Sequence, residues 1–158
     1  MINLGAPHVT AKTTLGDTAL APDPVDGLIK KYIYLKVDNA TTDDIVTGMG
    51  VCSLASSVDS NVVTVGTSAV KNLPRGFARQ AIPAATDNID YCDWFLMDGD
   101  APLKHDGTND ITAGMPLFIT GSGTVNAYAL GVLNSYVAAA YATASSSTYV
   151  VAARVRCL

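Results

Sequence analysis

The chain has 158 residues, a net charge of −4 and only 15% charged residues, against about 25% in an average soluble domain. All fourteen acidic residues are Asp, with no Glu and a single Gln (Gln80), so the side chains that clothe helix surfaces are missing and Val, Thr and Tyr, punctuated by Gly and Pro, point to strands and turns. The acidic balance and the dispersed Lys and Arg, tightest at Lys30, Lys31 and Lys36, exclude a phosphate-binding track, and no run approaches the roughly 18 apolar residues of a membrane-spanning helix.

Residues 1–28 mix Thr, Ala, Gly and Pro with little apolar periodicity and end in Pro22-Asp23-Pro24, which favours extended backbone. They are expected to form either a disordered tail or an extended N-terminal arm that orders on a partner. Leu28 to Val37 is the first firm strand, with Tyr32, Tyr34 and Lys36 on one face and Ile33, Leu35 and Val37 on the other. After a turn at Asp38 to Thr41, strands are expected over Gly50 to Ala55, Asn61 to Val65 and Phe77 to Ile82, the last introduced by Pro74-Arg75-Gly76. Tyr91 to Met97 carries Tyr91, Trp94 and Phe95 and reads as a core strand. Asp98-Gly99-Asp100 and His105-Asp106-Gly107 around Pro102-Leu103 have hairpin chemistry. Leu117 to Thr120, a turn at Gly121-Ser122-Gly123, Val125 to Leu130, Gly131 to Ala140 and Thr148 to Cys157 complete the set, with a short helix over Tyr136 to Ala144 as the alternative for that stretch. About ten short strands, one every ten residues or so, imply an all-β fold, a compact β-barrel or β-sandwich over residues 29–158.

One pattern occurs twice. Asp44-Ile45-Val46-Thr47-Gly48-Met49 returns as Asp110-Ile111-Thr112-Ala113-Gly114-Met115, each copy followed two places later by an apolar residue, Val51 or Leu117. Gly48 is expected in a tight turn at positive φ. Each copy leads to an apolar run, a polar turn and a glycine-centred strand, Gly76-Phe77-Ala78 and Gly131-Val132-Leu133. The pattern holds no acid–base pair, nucleophile or ligand spacing, so it reads as an architectural unit.

Chemistry-bearing groups are sparse. The Asp set Asp87, Asp90, Asp93, Asp98, Asp100, Asp106 and Asp110 lacks the calcium-loop spacing and its terminal Glu, so it reads as β-turn residues. No pair in it is marked out for glycoside hydrolysis. His8 lies in the arm and His105 in a turn, and Ser122 sits between glycines without a nucleophile elbow. Cys52, Cys92 and Cys157 form no C-x-x-C pair and are expected as buried thiols of a chain made in a reducing cytoplasm. No secretion signal is visible at the N-terminus. No catalytic, cofactor-binding or metal-ligating residue is expected, and no cofactor.

The order of short motifs resembles the small β-rich decoration, or cement, proteins of tailed-phage heads. The resemblance rests on Tyr34 to Thr41 followed by Ile45 to Met49, Pro74-Arg75-Gly76-Phe77-Ala78, Asp106-Gly107-Thr108 leading to Ala113 to Leu117, Ala129-Leu130-Gly131-Val132, and a last strand with Arg154-Val155-Arg156. It covers about residues 30–158. The sequence departs from it with Met49 and Met115 where an acidic residue is common after the glycine, and with a longer arm. The resemblance implies a virion protein of the outer capsid surface, without enzymatic activity, a homotrimer whose partner is the major capsid protein and which clamps neighbouring capsid subunits. The arm would reach across to a neighbour, so its removal would weaken capsid binding and leave the β domain folded. A carbohydrate-binding or adhesion module is the competing class, with Tyr128, Tyr136, Tyr141 and Tyr149 as stacking residues; a tail or fibre subunit is the third.

Overall fold

The computed structural model describes residues 4–38, 44–53, 61–65, 73–83, 91–127, 138–140, 143–145, 147 and 149–157. They form β1 (Thr18–Pro22), β2 (Ile29–Val37), β3 (Gly50–Ser53), β4 (Val62–Val65), β5 (Pro74–Ala78), β6 (Tyr91–Lys104), β7 (Pro116–Ile119), β8 (Val125–Ala127), β9 (Ala138–Ala140) and β10 (Val150–Arg156), with no helix among the described residues. The all-β expectation holds. The Ala-rich stretch supplies a strand at Ala138–Ala140 where a helix was the alternative.

The pairings close two rings. β2 pairs with β4 in parallel, β4 with β3, β3 with β5, β5 with β6 and β6 back with β2, all antiparallel after the first. The second half of β6 then pairs with β10, β10 with β9, β9 with β7 and β7 with β8. A parallel bridge between His105 and Val125 returns β8 to the end of β6. The fold is therefore two small five-stranded barrels in tandem, sharing β6. Asp98 lies opposite both Lys31 and Arg156, so β2 and β10 occupy opposite edges of β6 where one barrel hands over to the next.

The duplicated pattern is the signature of this tandem, and the two copies have the same geometry. Ile45 exchanges backbone bonds with Ile82 at 3.0 and 2.8 Å, and Ile111 does so with Ala144 at 2.7 and 2.9 Å. Gly48 N–H donates to Ala78 O and Gly114 N–H to Ala140 O, both at 2.7 Å. Met49 and Met115 N–H close the turns onto Val46 and Thr112 O, both at 3.1 Å. Positive φ at the third turn position, +84° at Gly48 and +91° at Gly114, is what a type II turn requires of that residue. Each Met folds back so that its Sδ accepts the N–H of Val46 or Thr112.

Gly131 to Leu133 lies outside the described residues, among which Ala140 makes the bonds to Gly114 and Met115 that Ala78 makes to Gly48 and Met49. One expectation is corrected. Asp98-Gly99-Asp100 is not a turn but runs through the middle of the 14-residue β6. Gly99, at φ +143°, is there because the Lys30 side chain crosses it: an added Cβ would sit 2.8 Å from Lys30 Cγ. Tyr32 faces Leu96 while Lys31 faces Asp98, so Met97 forms a bulge at the handover.

Barrel interiors follow strand alternation. Ile33, Leu35, Val37, Val51, Val63, Val65, Ala78 and Phe95 fill the first. On the other faces of β2 and β6, Tyr32, Tyr34, Trp94 and Leu96 join a core that continues through Leu103, Leu117, Val125, Val151, Ala153 and Val155. Burying each larger apolar side chain contributes about 1.5–3 kcal/mol, which is why these faces recruit a cover.

Residues 4–28 provide part of that cover. The segment read as an arm lies on the β domain: β1 pairs with β2 from Thr18↔Ile33 to Pro22↔Ile29, and His8 exchanges backbone bonds with Cys92 at 2.9 and 2.7 Å. The pull is the apolar Tyr32–Tyr34–Trp94 face, against which Leu4, Leu15 and Ala19 pack.

Candidate functional site

The N-terminal segment crosses the outer face of β2 and β6 without filling the space beneath it. One end is clamped by the buried pair Arg79–Asp93, at 3.1 Å. Arg79 and Gln80 both donate to Gly5 O and both bind the Asp93 carboxylate. Farther along, Lys12 N–H donates to Tyr34 Oη at 3.1 Å, Gly16 N–H to Tyr34 O at 2.7 Å, and Tyr34 N–H to Asp17 O at 2.9 Å. Asn61 holds Leu15 O at 2.9 Å. At the far end Tyr32 Oη and Lys30 Nζ reach the Asp23 carboxylate at 2.9 and 3.2 Å. Burial opposes charge on Asp23, but the Val25 N–H, the Tyr32 hydroxyl and Lys30 outweigh it and hold its pKa below the usual carboxylate value. Burial and Asp23 together raise the Tyr32 phenol.

Between these anchors lies a cavity of about 520 Å³ that opens to solvent. Its floor is Tyr34 and Trp94, directly opposite in the β2–β6 register, with ring centroids 5.1 Å apart and planes at 51°. Its rim is polar, with His8, Lys12, Thr13, Asp17 and Thr18. Thr13 Oγ1 donates to Asp17 Oδ2 at 2.7 Å. Sequence reasoning saw Trp94 as packing and His8 as an arm residue. The register between β2 and β6 and the path of the arm bring them to one place, across more than eighty residues of chain.

The other sequence-marked groups do not converge. Asp98 and Asp100 face Arg154 at 3.2 and 3.3 Å. Asp106 accepts from Thr108 N–H at 2.8 Å and Asn126 Nδ2 at 2.9 Å. Asp87 and Asp90 lie outside the described residues, among which no three His, Cys or Asp side chains cluster as metal ligands. His105 is fully buried beside Asp106, while Ser122 bonds Thr120 and Thr124 in an exposed turn. The three thiols are buried and form no disulfide; burial pushes the Cys157 pKa up to about 12. Of the stacking candidates, Tyr149 is exposed and Lys104 Nζ lies 5.6 Å from its ring centre; Tyr128, Tyr136 and Tyr141 lie outside the described residues.

No protein-family model matches the chain, and no curated protein does. Among solved structures it is similar to the N base of the head fiber protein gp8.5 in bacteriophage phi29, with a TM-score of 0.50 at 11% identity, covering 80% of this chain and 98% of that one. At that identity the likeness is one of fold, and it places the chain in an all-β architecture shared along nearly the whole of the fibre base.

Proposed function

We propose that the chain is a structural protein of a phage virion. It sits on the outer capsid surface as a homotrimer, and it decorates and stabilises the capsid by clamping neighbouring major capsid subunits. The observation that carries this reading is the fold shared with a phage head-fibre base. Closed rings that leave few open strand edges suit permanent assembly, and the duplicated unit is architectural. Three equivalent contacts per trimer give avidity without any single strong contact. The acidic, charge-poor composition supports a protein partner over nucleic acid. The likeness to a head-fibre base also favours a second reading, in which the chain is the base of a fibre on the head.

Light scattering coupled to size exclusion, followed by co-sedimentation with capsids of the cognate phage, tests the proposal. A mass three times the 16.4 kDa chain and saturable capsid binding are expected. A monomer that stays in the supernatant would contradict it.

A further inference from the structure

The tandem architecture supplies an internal control for the cavity. Leu35-Lys36-Val37-Asp38 at the end of β2 corresponds to Leu103-Lys104-His105-Asp106 at the end of β6. Both stretches bond the third strand, in chain order, of their own barrel, Asp38 N–H to Val63 O at 2.7 Å and Asp106 N–H to Val125 O at 3.3 Å. By this correspondence Tyr34 matches Pro102, and their cross-strand partners Trp94 and Ala152 match each other.

On the second barrel the chain itself packs against the end of β6. The Thr47-Gly48 turn of the first barrel lies against Pro102 to Lys104, with Lys104 N–H bonded to Gly48 O at 2.9 Å. A Cβ on Gly48 would come within 2.8 Å of Pro102 O. A cavity of about 100 Å³ beside that turn is lined by Thr47, Gly48, Pro102 and Leu103 together with Lys30, Phe77 and Leu96, and it does not reach Ala152. On the first barrel two aromatic rings replace Pro and Ala, and the covering segment stands off to leave about 520 Å³. The cavity on the first barrel is lined by Tyr34 and Trp94, rimmed with hydroxyls and a carboxylate, and open.

The geometry points to a binding site for a neutral saccharide of one or two units in the cavity between the N-terminal segment and the Tyr34–Trp94 pair. The volume falls within the roughly 300–1,000 Å³ usual for small-ligand sites. Trp94 is 8% exposed and Tyr34 1%, so the Trp94 edge is the aromatic contact offered to a sugar ring, whose vicinal hydroxyls meet acceptors and donors such as Asp17, Thr13 and Thr18. Lys12 and Asp17 offset one another at the rim, so nothing selects for an anion. This site is independent of the capsid reading: either can fail alone.

Trp94 is the only tryptophan, so its emission reports the cavity directly. The full chain is titrated with glucose, galactose, N-acetylglucosamine and N-acetylgalactosamine, with sialic acid as the anionic comparison. A saturable emission change with a neutral sugar is expected, with a dissociation constant on the order of 1 mM. Asp17 is exposed, so Asp17→Ala leaves the fold intact; it should weaken binding about tenfold, the loss of a charged hydrogen-bond acceptor, with an unchanged melting temperature. Ligand should also slow amide exchange at residues 12–17. No saturable change with any neutral sugar up to about 50 mM, binding of sialic acid alone, or full affinity in Asp17→Ala would each overturn the proposal.

Discussion

Gly48 and Gly114 occupy one turn in two settings, which makes them a matched pair for mutation. Both sit at positive φ, where a side chain costs about 1 kcal/mol or more. A Cβ at Gly114 meets nothing within 4 Å, whereas one at Gly48 meets the backbone of Pro102 and Lys104 at 2.8 Å. Gly114→Ala should therefore cost about 1 kcal/mol and Gly48→Ala about 2–4 kcal/mol, overpacking being added to strain, as read from urea midpoints at constant m-value. Equal costs would mean that the two barrels do not meet at this turn. Asp93 is a second sensitive residue. Replacing it by Ala leaves the buried Arg79 guanidinium without its carboxylate, and about 3–5 kcal/mol should be lost. Cys157 predicts a pH effect. Its pKa is raised in the fold, so its contribution is complete below about 9 and lost as pH rises toward about 12. Cys157→Ala should flatten that part of the alkaline stability curve.

At the scale of elements, the covering segment is part of the fold. Truncation of residues 1–16 would strip hydrogen bonds from Tyr34, Cys92 and the Arg79–Asp93 pair, at about 1 kcal/mol each. It should lower the melting temperature as well as any capsid affinity; an unchanged melt would show that the segment rests on the barrel without stabilising it. The β1–β2 hairpin has its own acid sensitivity. Asp23 is held below its usual pKa by Val25 N–H, Tyr32 and Lys30 against the opposing effect of burial, so its contribution is present above about pH 4 and lost as pH falls through the depressed pKa. Asp23→Asn should remove that acid slope from a series of thermal melts.

Elements also show how far the sequence could be read. β2 and β10 were legible because their alternation is local and each face stays on one side. The repeated turn was legible because a positive-φ glycine and a buried Ile leave fixed residues at fixed spacing. The repeat also extends upstream, as Leu-Lys-x-Asp at Leu35 to Asp38 and Leu103 to Asp106, and a search allowing the two-residue difference in loop length would have found it. β6 was not legible as one strand. Asp-Gly is the usual turn signal, yet here Gly99 makes room for Lys30 and the flanking Asp side chains face Arg154, reasons supplied by β2 and β10. The cavity was hidden for the same cause, since its floor and rim meet only through cross-strand register.

For the whole molecule, two barrels fused through one strand make a single block whose joint is itself packed by the first turn. Such a block suits a part that holds its place in a lattice, and the exposed Leu20, Val25, Leu28 and Ile29 around the β1–β2 hairpin form the apolar end available for a lasting contact. Val25→Asp, in a side chain 92% exposed, should leave the melt unchanged while weakening capsid association. The most direct test of the central claim is gold-labelled antibody to the purified chain, applied to intact virions released by cells that produce it and viewed by electron microscopy. Label distributed over the head is the predicted result. Virions that carry no label, while the antibody recognises the free protein, would contradict the account.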